Sequence, residues 1–234
     1  PEYRLTKYIL KNFVNKNLIF FDVGAYIGYY SLLLSKISPN AKVYAFEPYP
    51  INVETLKRNK IINKRENIEI ISKAVYSVKG KMKGYNFGES CFTGDLEDLK
   101  LYSPIYKDLL KEYSNKEIEI ETITLDDFCS ENKITPNFIK IDVDGSEEKV
   151  FEGSYNLLKN YSLIISMEIV FKPILSLNHL NSLNILKNNL FQVFKIEESG
   201  DLIQISYEDI DKYFFELSKR YETTFDNIIF IKQK

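Results

Sequence analysis

Residues 20–28, Phe-Phe-Asp-Val-Gly-Ala-Tyr-Ile-Gly, are the stretch that decides the fold of this chain. They complete an apolar run that begins at Leu18 and does not alternate with polar residues, as is typical of a strand buried on both faces. Two glycines follow, and a helical pattern begins at Tyr29. A glycine turn lets a ligand approach the backbone, and the N-terminus of the next helix presents free N–H groups. The stretch therefore predicts a ligand-binding turn of the nucleotide type.

Two positions in this turn indicate which ligand it binds. A dinucleotide-binding turn needs a second glycine two residues after Gly24, and Tyr26 stands there instead, so a diphosphate fits poorly. Asp22 would repel phosphates but attracts an ammonium or sulfonium group. S-adenosylmethionine carries both groups and is therefore a ligand that the turn suits, with Asp22, Gly24, Tyr26 and Gly28 as the candidate residues.

Glu47 is the second candidate residue for cofactor binding. It ends the next apolar run, residues 42–46, and follows Asp22 by 25 residues, close to the spacing of about 20 at which an acidic residue binds ribose hydroxyls. Both NAD and S-adenosylmethionine contain this ribose, so Glu47 does not choose between them. A plain strand–helix–strand turn with exposed acidic residues is the alternative.

Further along the chain, apolar runs alternate with helical patterns. The runs at residues 68–71, 138–142, 163–168, 191–196 and 227–232 are predicted strands, and residues 1–16, 52–63, 147–158 and 179–189 are predicted helices. This alternation predicts an α/β fold with an open, mostly parallel sheet and helices on both faces. The alternation of strands and helices is interrupted twice, at residues 81–117 and 197–224, which are predicted insertions. The first is a candidate cap over the substrate, although surface elaboration is an equal alternative.

Composition excludes several functional classes. The chain has 234 residues, 44% of them hydrophobic and 27% charged, as expected for one ordinary globular domain. Its net charge of -2 gives no overall positive field, so neither a nucleic acid nor a membrane is an expected partner. Cys91 and Cys129 are too few for a disulfide framework, and His179 is the single histidine, which excludes multi-histidine metal sites. No apolar run is long enough to span a membrane, and we expect a cytoplasmic protein.

Residues 139–147, Ile-Lys-Ile-Asp-Val-Asp-Gly-Ser-Glu, form the third motif. They place Asp142 at the carboxyl end of a strand next to the point where ligands bind in open α/β sheets. A helix-capping turn, in which Ser146 or Asp144 satisfies the first amides, is the alternative. Lys140 is expected to form a structural ion pair with Glu147 or a core acid.

The chain resembles the FkbM-like family of S-adenosylmethionine-dependent methyltransferases. The resemblance lies in the order and spacing of motifs at residues 22–31, 45–48, 124–128, 139–145 and 165–169. It implies one Rossmann-like class I methyltransferase domain over residues 1–234, with seven strands and an antiparallel last strand between the fifth and the sixth. It also implies methyl transfer, usually to a hydroxyl oxygen of a sugar or small metabolite, so a small-molecule or glycan acceptor is the expected partner.

The resemblance also implies roles for individual residues. Asp22, Gly24 and Gly28 would line the methionine part of the cofactor, Glu47 would bind its ribose, and Asp142 would lie near the transferred methyl group. The sequence departs from the family at Tyr26, where asparagine is common, and at Asp144, where glutamate is usual.

Methyl transfer to an alcohol requires a general base for the hydroxyl proton. The candidates are Asp142, Asp144, Glu168 and His179, and we assign catalysis to Asp142 with Glu168 as its partner. We predict no metal, with a divalent ion held by Asp142, Asp144 and Glu168 as the alternative. A nicotinamide-dependent oxidoreductase and a non-catalytic cofactor-binding module are the competing functions.

Overall fold

The computed structural model describes residues 2–86, 91–93, 117–172, 174–175, 177–220 and 225–233. The helices of this part of the chain are α1 (Glu2–Asn12), α2 (Tyr29–Ile37), α3 (Pro50–Ile62), α4 (Leu125–Asn132), α5 (Glu147–Glu152), α6 (Tyr155–Asn160), α7 (Leu177–Asn188) and α8 (Ile210–Arg220). Its strands are β1 (Ile19–Val23), β2 (Lys42–Phe46), β3 (Ile68–Ile71), β4 (Ala74–Val75), β5 (Gly80–Asn86), β6 (Cys91–Thr93), β7 (Glu117–Ile123), β8 (Phe138–Ile141), β9 (Leu163–Lys172), β10 (Ile174–Leu175), β11 (Gln192–Ile196), β12 (Leu202–Ile205) and β13 (Phe225–Lys232).

The central sheet has the strand order β3-β2-β1-β8-β9-β13-β11-β12, and β10 pairs with β9. From β3 to β9 the neighbouring strands are parallel, whereas β13 is antiparallel to both β9 and β11. The predicted α/β fold, with a mostly parallel sheet and an antiparallel last strand between the fifth and the sixth, is confirmed. β12 pairs antiparallel with β11 and adds an edge strand that the sequence pattern did not indicate.

Both faces of this sheet are covered, which explains why its central strands lack alternation. All four residues of β8 are buried, and so are Phe20 and Phe21 on opposite faces of β1. Phe20 belongs to an apolar cluster that includes residues of α1 and α2, and Phe21 belongs to a second cluster with residues of α4, α5 and α8.

The predicted helix over residues 147–158 is divided into α5 and α6. The break is at Gly153, whose backbone lies so close to another segment that a Cβ there would be 2.2 Å from the carbonyl oxygen of Tyr76. Ser154 then begins α6 as its N-cap residue. A periodic apolar pattern cannot reveal this break, because it depends on a contact with a distant part of the chain.

The described part of the first insertion contributes β5 and β6 to a second sheet with the order β4-β7-β5-β6, in which β4 and β7 come from the segments that flank the insertion. One face of this sheet is charged and exposed, with ion pairs of 2.6 Å from Lys81 to Glu119 and from Lys83 to Glu117. Ile120, on the opposite face, is buried. Residues 87–90 and 94–116 lie outside the described residues, so the cap expected over 81–117 stays a prediction.

The second insertion contains β12, a 3-10 helix (Tyr207–Asp209) and α8. α8 packs into the core through Phe214 and Leu217. Gly200, in the turn between β11 and β12, adopts a φ of 85° and lies against the backbone of Lys7 in α1.

The N-terminal helix is attached to the last strand. Leu5, Tyr8 and Ile9 of α1 are buried, as the apolar spacing predicted. Arg4 forms a buried ion pair with Asp226 of β13 at 2.5 Å, and the Tyr213 hydroxyl donates a hydrogen bond to the same carboxylate oxygen. The helix is therefore fixed to the sheet by charge as well as by apolar contact.

No helix among the described residues is both long and apolar enough to cross a membrane.

Replacing Arg4 with methionine should lower the free energy of unfolding by about 3 kcal/mol or more, because Asp226 would stay buried without its cation. Lys11→Met is the matched control. It removes an exposed ion pair from the same helix, to Asp201, and should cost less than about 1 kcal/mol. Urea denaturation of both variants measures the difference, and equal losses would mean that the Arg4–Asp226 pair does not hold α1.

Candidate active site

The turn between β1 and α2 lies against the end of β8. Gly24 has a φ of 78°, and a Cβ at this position would be 1.7 Å from the backbone carbonyl oxygen of Asp142. Gly28 has a φ of 89°, and a Cβ there would be 2.0 Å from Cδ1 of Leu56 in α3. The two glycines therefore provide left-handed backbone conformations and space for close packing.

A cavity of about 240 Å³ opens beside this turn. It lies at the carboxyl ends of β1, β2 and β8, where the strand order of the sheet reverses, which is the usual ligand position in open α/β sheets. The residues on its wall include Gly24, Tyr26, Glu47, Asn52, Lys73 and Asp142. Four of these six were predicted from the sequence. Asn52 and Lys73 were missed, since neither has a distinctive motif.

Glu47 is a buried carboxyl group held by hydrogen bonds to both of its oxygens. The backbone N–H of Tyr26 donates to Oε2 at 2.8 Å, and the N–H of Tyr49 donates to Oε1 at 2.9 Å. Asn52 Nδ2 lies 3.4 Å from the same Oε1. Burial raises the pKa of Glu47 to about 7, although these hydrogen bonds oppose the rise. A carboxylate has about four acceptor positions, so Glu47 keeps capacity for a ligand hydroxyl.

Tyr26 adopts the left-handed conformation with a φ of 51°, and it is 41% exposed on the cavity wall. The backbone N–H groups of the two preceding residues, Gly24 and Ala25, are already hydrogen-bonded within the protein. Both donate to the carbonyl oxygen of Phe46, at 3.0 and 2.9 Å. These amides are the groups that would otherwise cradle a phosphate. The turn is thus poorly suited to a diphosphate for a reason beyond the missing glycine.

Asp22 lies below the turn and is not on the cavity wall. It is only 1% exposed, and its Oδ2 accepts a hydrogen bond of 2.6 Å from the Ser31 hydroxyl in α2. Its Oδ1 accepts no hydrogen bond from the described residues. Burial raises the pKa of Asp22, and the charge of Lys140 opposes that rise. The contact of Asp22 with the cofactor stays a prediction, while its bond to α2 is a feature of the fold. Gly28 is likewise absent from the wall.

Asp142 and Glu168 come together as expected from their adjacent strands. Carboxyl oxygens of Asp142, Glu168 and Glu2 lie within 4.8 Å of one another, so Glu2, rather than Asp144, completes the group. Burial and, next, the charge of Asp142 raise the pKa of Glu168 to about 9. Glu2 was not predicted, since an acidic residue in the first turn of a helix is ordinary.

Lys140 pairs with Asp142, not with Glu147. Its Nζ lies 2.7 Å from Asp142 Oδ2, and its side chain is 3% exposed. Glu147 is buried next to His179, with Oε2 and Nε2 3.9 Å apart. Burial lowers the pKa of His179 to about 4, and this histidine is absent from the cavity wall. The capping alternative for Ser146 is not observed, since its side chain does not cap α5.

Gly24→Ala should destabilise the protein by at least about 2 kcal/mol and lower affinity for any ligand of the cavity, because the methyl group meets a backbone carbonyl in a conformation that alanine disfavours. Gly80→Ala is the control, since a Cβ at Gly80 would meet nothing within 4 Å. Its effect should stay within about 0.5 kcal/mol. Thermal and urea unfolding decide the matter, and a harmless Gly24→Ala would refute the close contact with β8.

Comparison with known proteins identifies relatives. The family model described as "Methyltransferase FkbM domain" matches residues 22–221. The chain is 27% identical over 149 residues to the hexuronic acid methyltransferase AglP of Haloferax volcanii, a match that covers 63% of this chain and 54% of that protein. It is also 27% identical over 154 residues to the methyltransferase sdnD of Sordaria araneosa, covering 56% of this chain and 58% of that protein. The chain thus spans little more than half the length of the curated relatives that it matches.

Solved structures share the fold. A putative rRNA-methylase from Clostridium thermocellum has a TM-score of 0.55 at 9% sequence identity, covering 99% of this chain and 94% of that one. A precorrin-6y C5,15-methyltransferase from Geobacter metallireducens has a TM-score of 0.50 at 12% identity, covering 99% and 87%. At such identities the likeness supports the Rossmann-like methyltransferase fold alone. The family match, which spans most of the chain and all the motifs that form the cavity, shows that this protein belongs to the FkbM methyltransferase family.

Proposed function

We propose that the chain is an S-adenosylmethionine-dependent methyltransferase that transfers a methyl group to a hydroxyl oxygen of a sugar or small metabolite. The observation that carries this proposal is the cavity at the reversal of strand order, with Gly24, Glu47 and Asp142 on its wall. The family match supports the reaction class, and the cavity supports the cofactor.

The residues of the cavity fit this cofactor. Glu47 offers a buried acceptor position for a ribose hydroxyl, and the negative charges of Asp142 and Asp144 suit a ligand with ammonium and sulfonium groups. The amides of Gly24 and Ala25 are already used by Phe46, which disfavours the pyrophosphate of a nicotinamide cofactor.

The bound cofactor supplies an activated methyl group on a positively charged sulfur, so the protein mainly aligns the acceptor and removes its proton. Asp142 is the proposed base. It stands on the cavity wall with its side chain 26% exposed, so that an acceptor hydroxyl can reach it. Glu168 is its proposed partner, and its raised pKa favours a protonated carboxyl group that can donate a hydrogen bond.

A sugar acceptor is supported by the name of one relative, which refers to a hexuronic acid. The tyrosines of the first insertion are candidates for stacking on a sugar or aromatic acceptor, with ordinary packing of a cap as an equal alternative. Tyr102, Tyr106 and Tyr113 lie outside the described residues, as does the side chain of Tyr85. The acceptor is therefore assigned only as a hydroxylated small molecule or glycan.

S-adenosylhomocysteine should raise the melting temperature of the protein, because a ligand that binds only the native state stabilises it. Glu47→Ala should weaken binding by about 10-fold, since losing a ligand hydrogen bond to this buried carboxyl group costs about 1.5 kcal/mol. Glu54→Ala, which removes an exposed glutamate of α3, is the control and should bind normally. Stabilisation by NAD or NADP without stabilisation by S-adenosylhomocysteine would overturn the proposal in favour of an oxidoreductase.

Methyl transfer is tested with a labelled methyl donor and a panel of neutral sugars, amino sugars and uronic acids. On an accepted substrate, Asp142→Asn should lower kcat by about 100-fold or more, as expected for loss of a general base. Asp201→Asn, an exposed residue of the β11–β12 turn, should leave kcat unchanged. Full turnover by Asp142→Asn would show that another group takes the proton.

A further inference from the structure

Lys140 is a full positive charge in the middle of the central sheet. It lies on β8 beside Asp22 of β1 and Ser166 of β9 in the strand register, and its side chain is 3% exposed. Burial of an ammonium group is costly unless a charge of opposite sign and hydrogen bonds compensate it. The role of Lys140 in the site therefore depends on which acidic groups its ammonium group contacts.

Acidic groups surround Lys140 from several elements. Asp142, the residue that follows the strand of Lys140, is the nearest, at 2.7 Å, and the charges of Asp22, Asp144 and Glu168 also interact with it. From α2, the ring of Tyr30 lies with its centroid 5.0 Å from the ammonium nitrogen. From α1, Glu2 joins the same group of carboxyl oxygens as Asp142 and Glu168.

One ammonium group thus faces several carboxyl groups and is closest to one of them. Asp142 and Glu168 interact with each other, and two carboxylates at such short range do not both keep a full negative charge readily. Burial raises the pKa of Glu168 to about 9, whereas Asp142 has the direct ion pair. The two acids have different surroundings, which is the arrangement that separates an acid from a base.

We propose that Lys140 is a positioning residue that gives the two carboxyl groups unlike protonation states, an ionised Asp142 and a protonated Glu168. This inference rests on the proposed function, in which Asp142 receives the proton of the acceptor hydroxyl. As the oxygen–methyl bond forms, the methyl–sulfur bond breaks and its electron pair goes to sulfur. The carboxylate and the sulfonium thereby both become neutral. Lys140 thus favours a base that is charged before the transfer and loses its proton readily afterwards.

The experiment is a pH titration of the protein labelled with carbon-13 at the carboxyl carbons of Asp and Glu, observed by NMR. Asp142→Asn and Glu168→Gln assign the two signals by subtraction. In the unmodified protein near neutral pH, Asp142 should give the signal of a carboxylate and Glu168 that of a carboxylic acid. The opposite assignment, or two ionised groups, would overturn the proposal without any variant of Lys140.

Lys140→Met then tests the cause. The midpoint of the Asp142 signal should rise by at least about one pH unit, because a nearby opposite charge favours the ionised carboxyl by about that amount or more. In Lys140→Arg, which keeps the charge, the midpoint of the Asp142 signal should stay close to its value in the unmodified protein. If Lys140 had a purely structural role, the midpoint would not depend on the charge at position 140. Lys195→Met, which removes a partly buried ion pair with Glu197, should leave both signals unchanged.

The outcome of the NMR titration does not depend on whether the protein transfers methyl groups. The titration needs neither cofactor nor acceptor, so a failure of methyl transfer would leave the NMR signals as expected, and an unmoved Asp142 signal in Lys140→Met would refute the role of Lys140 alone. If Lys140→Met does not fold, the titration of the unmodified protein still decides whether the two carboxyl groups differ.

Discussion

The close contact between Gly24 and the backbone carbonyl of Asp142 is the constraint on which the site depends. It allows the turn after β1 to touch the end of β8, with no room for a side chain between them. The carbonyl of Phe46 binds the same turn to the end of β2. Three strand ends are therefore held together by backbone contacts, and the side chains that follow them meet at one cavity.

Local patterns predicted most of this framework because its causes are local. An apolar run, a glycine after it and a carboxylate at a strand end are all visible in the sequence, so the sequence singled out Gly24, Glu47 and Asp142, and the structure brings all three to one cavity wall. Spacing does not show which way a side chain points. Asp22 ends up below the turn against Ser31, although it precedes Gly24 by only two residues.

The residues that could not be predicted are those placed by distant contacts. Glu2 reaches Asp142 and Glu168 because α1 is docked on the sheet, and that docking involves an ion pair between positions 4 and 226. Lys140 was expected to pair with a core acid or with Glu147, and only the packing of the sheet shows that its partner is Asp142. Buried charge of this kind costs stability, as is common where a protein site has a chemical task.

The attachment of α1 to β13 has a consequence for biosynthesis. β13 lies between β9 and β11, so the sheet is incomplete until residues 225–232 have left the ribosome. Only then does Arg4 find Asp226, and only then is Glu2 carried to the other carboxyl groups. Such pairing of remote segments slows folding, because the entropic cost of closing a long loop comes before the stabilising contacts form. The third carboxyl group of the cluster, that of Glu2, is therefore held in place by a contact between segments 222 residues apart in the chain.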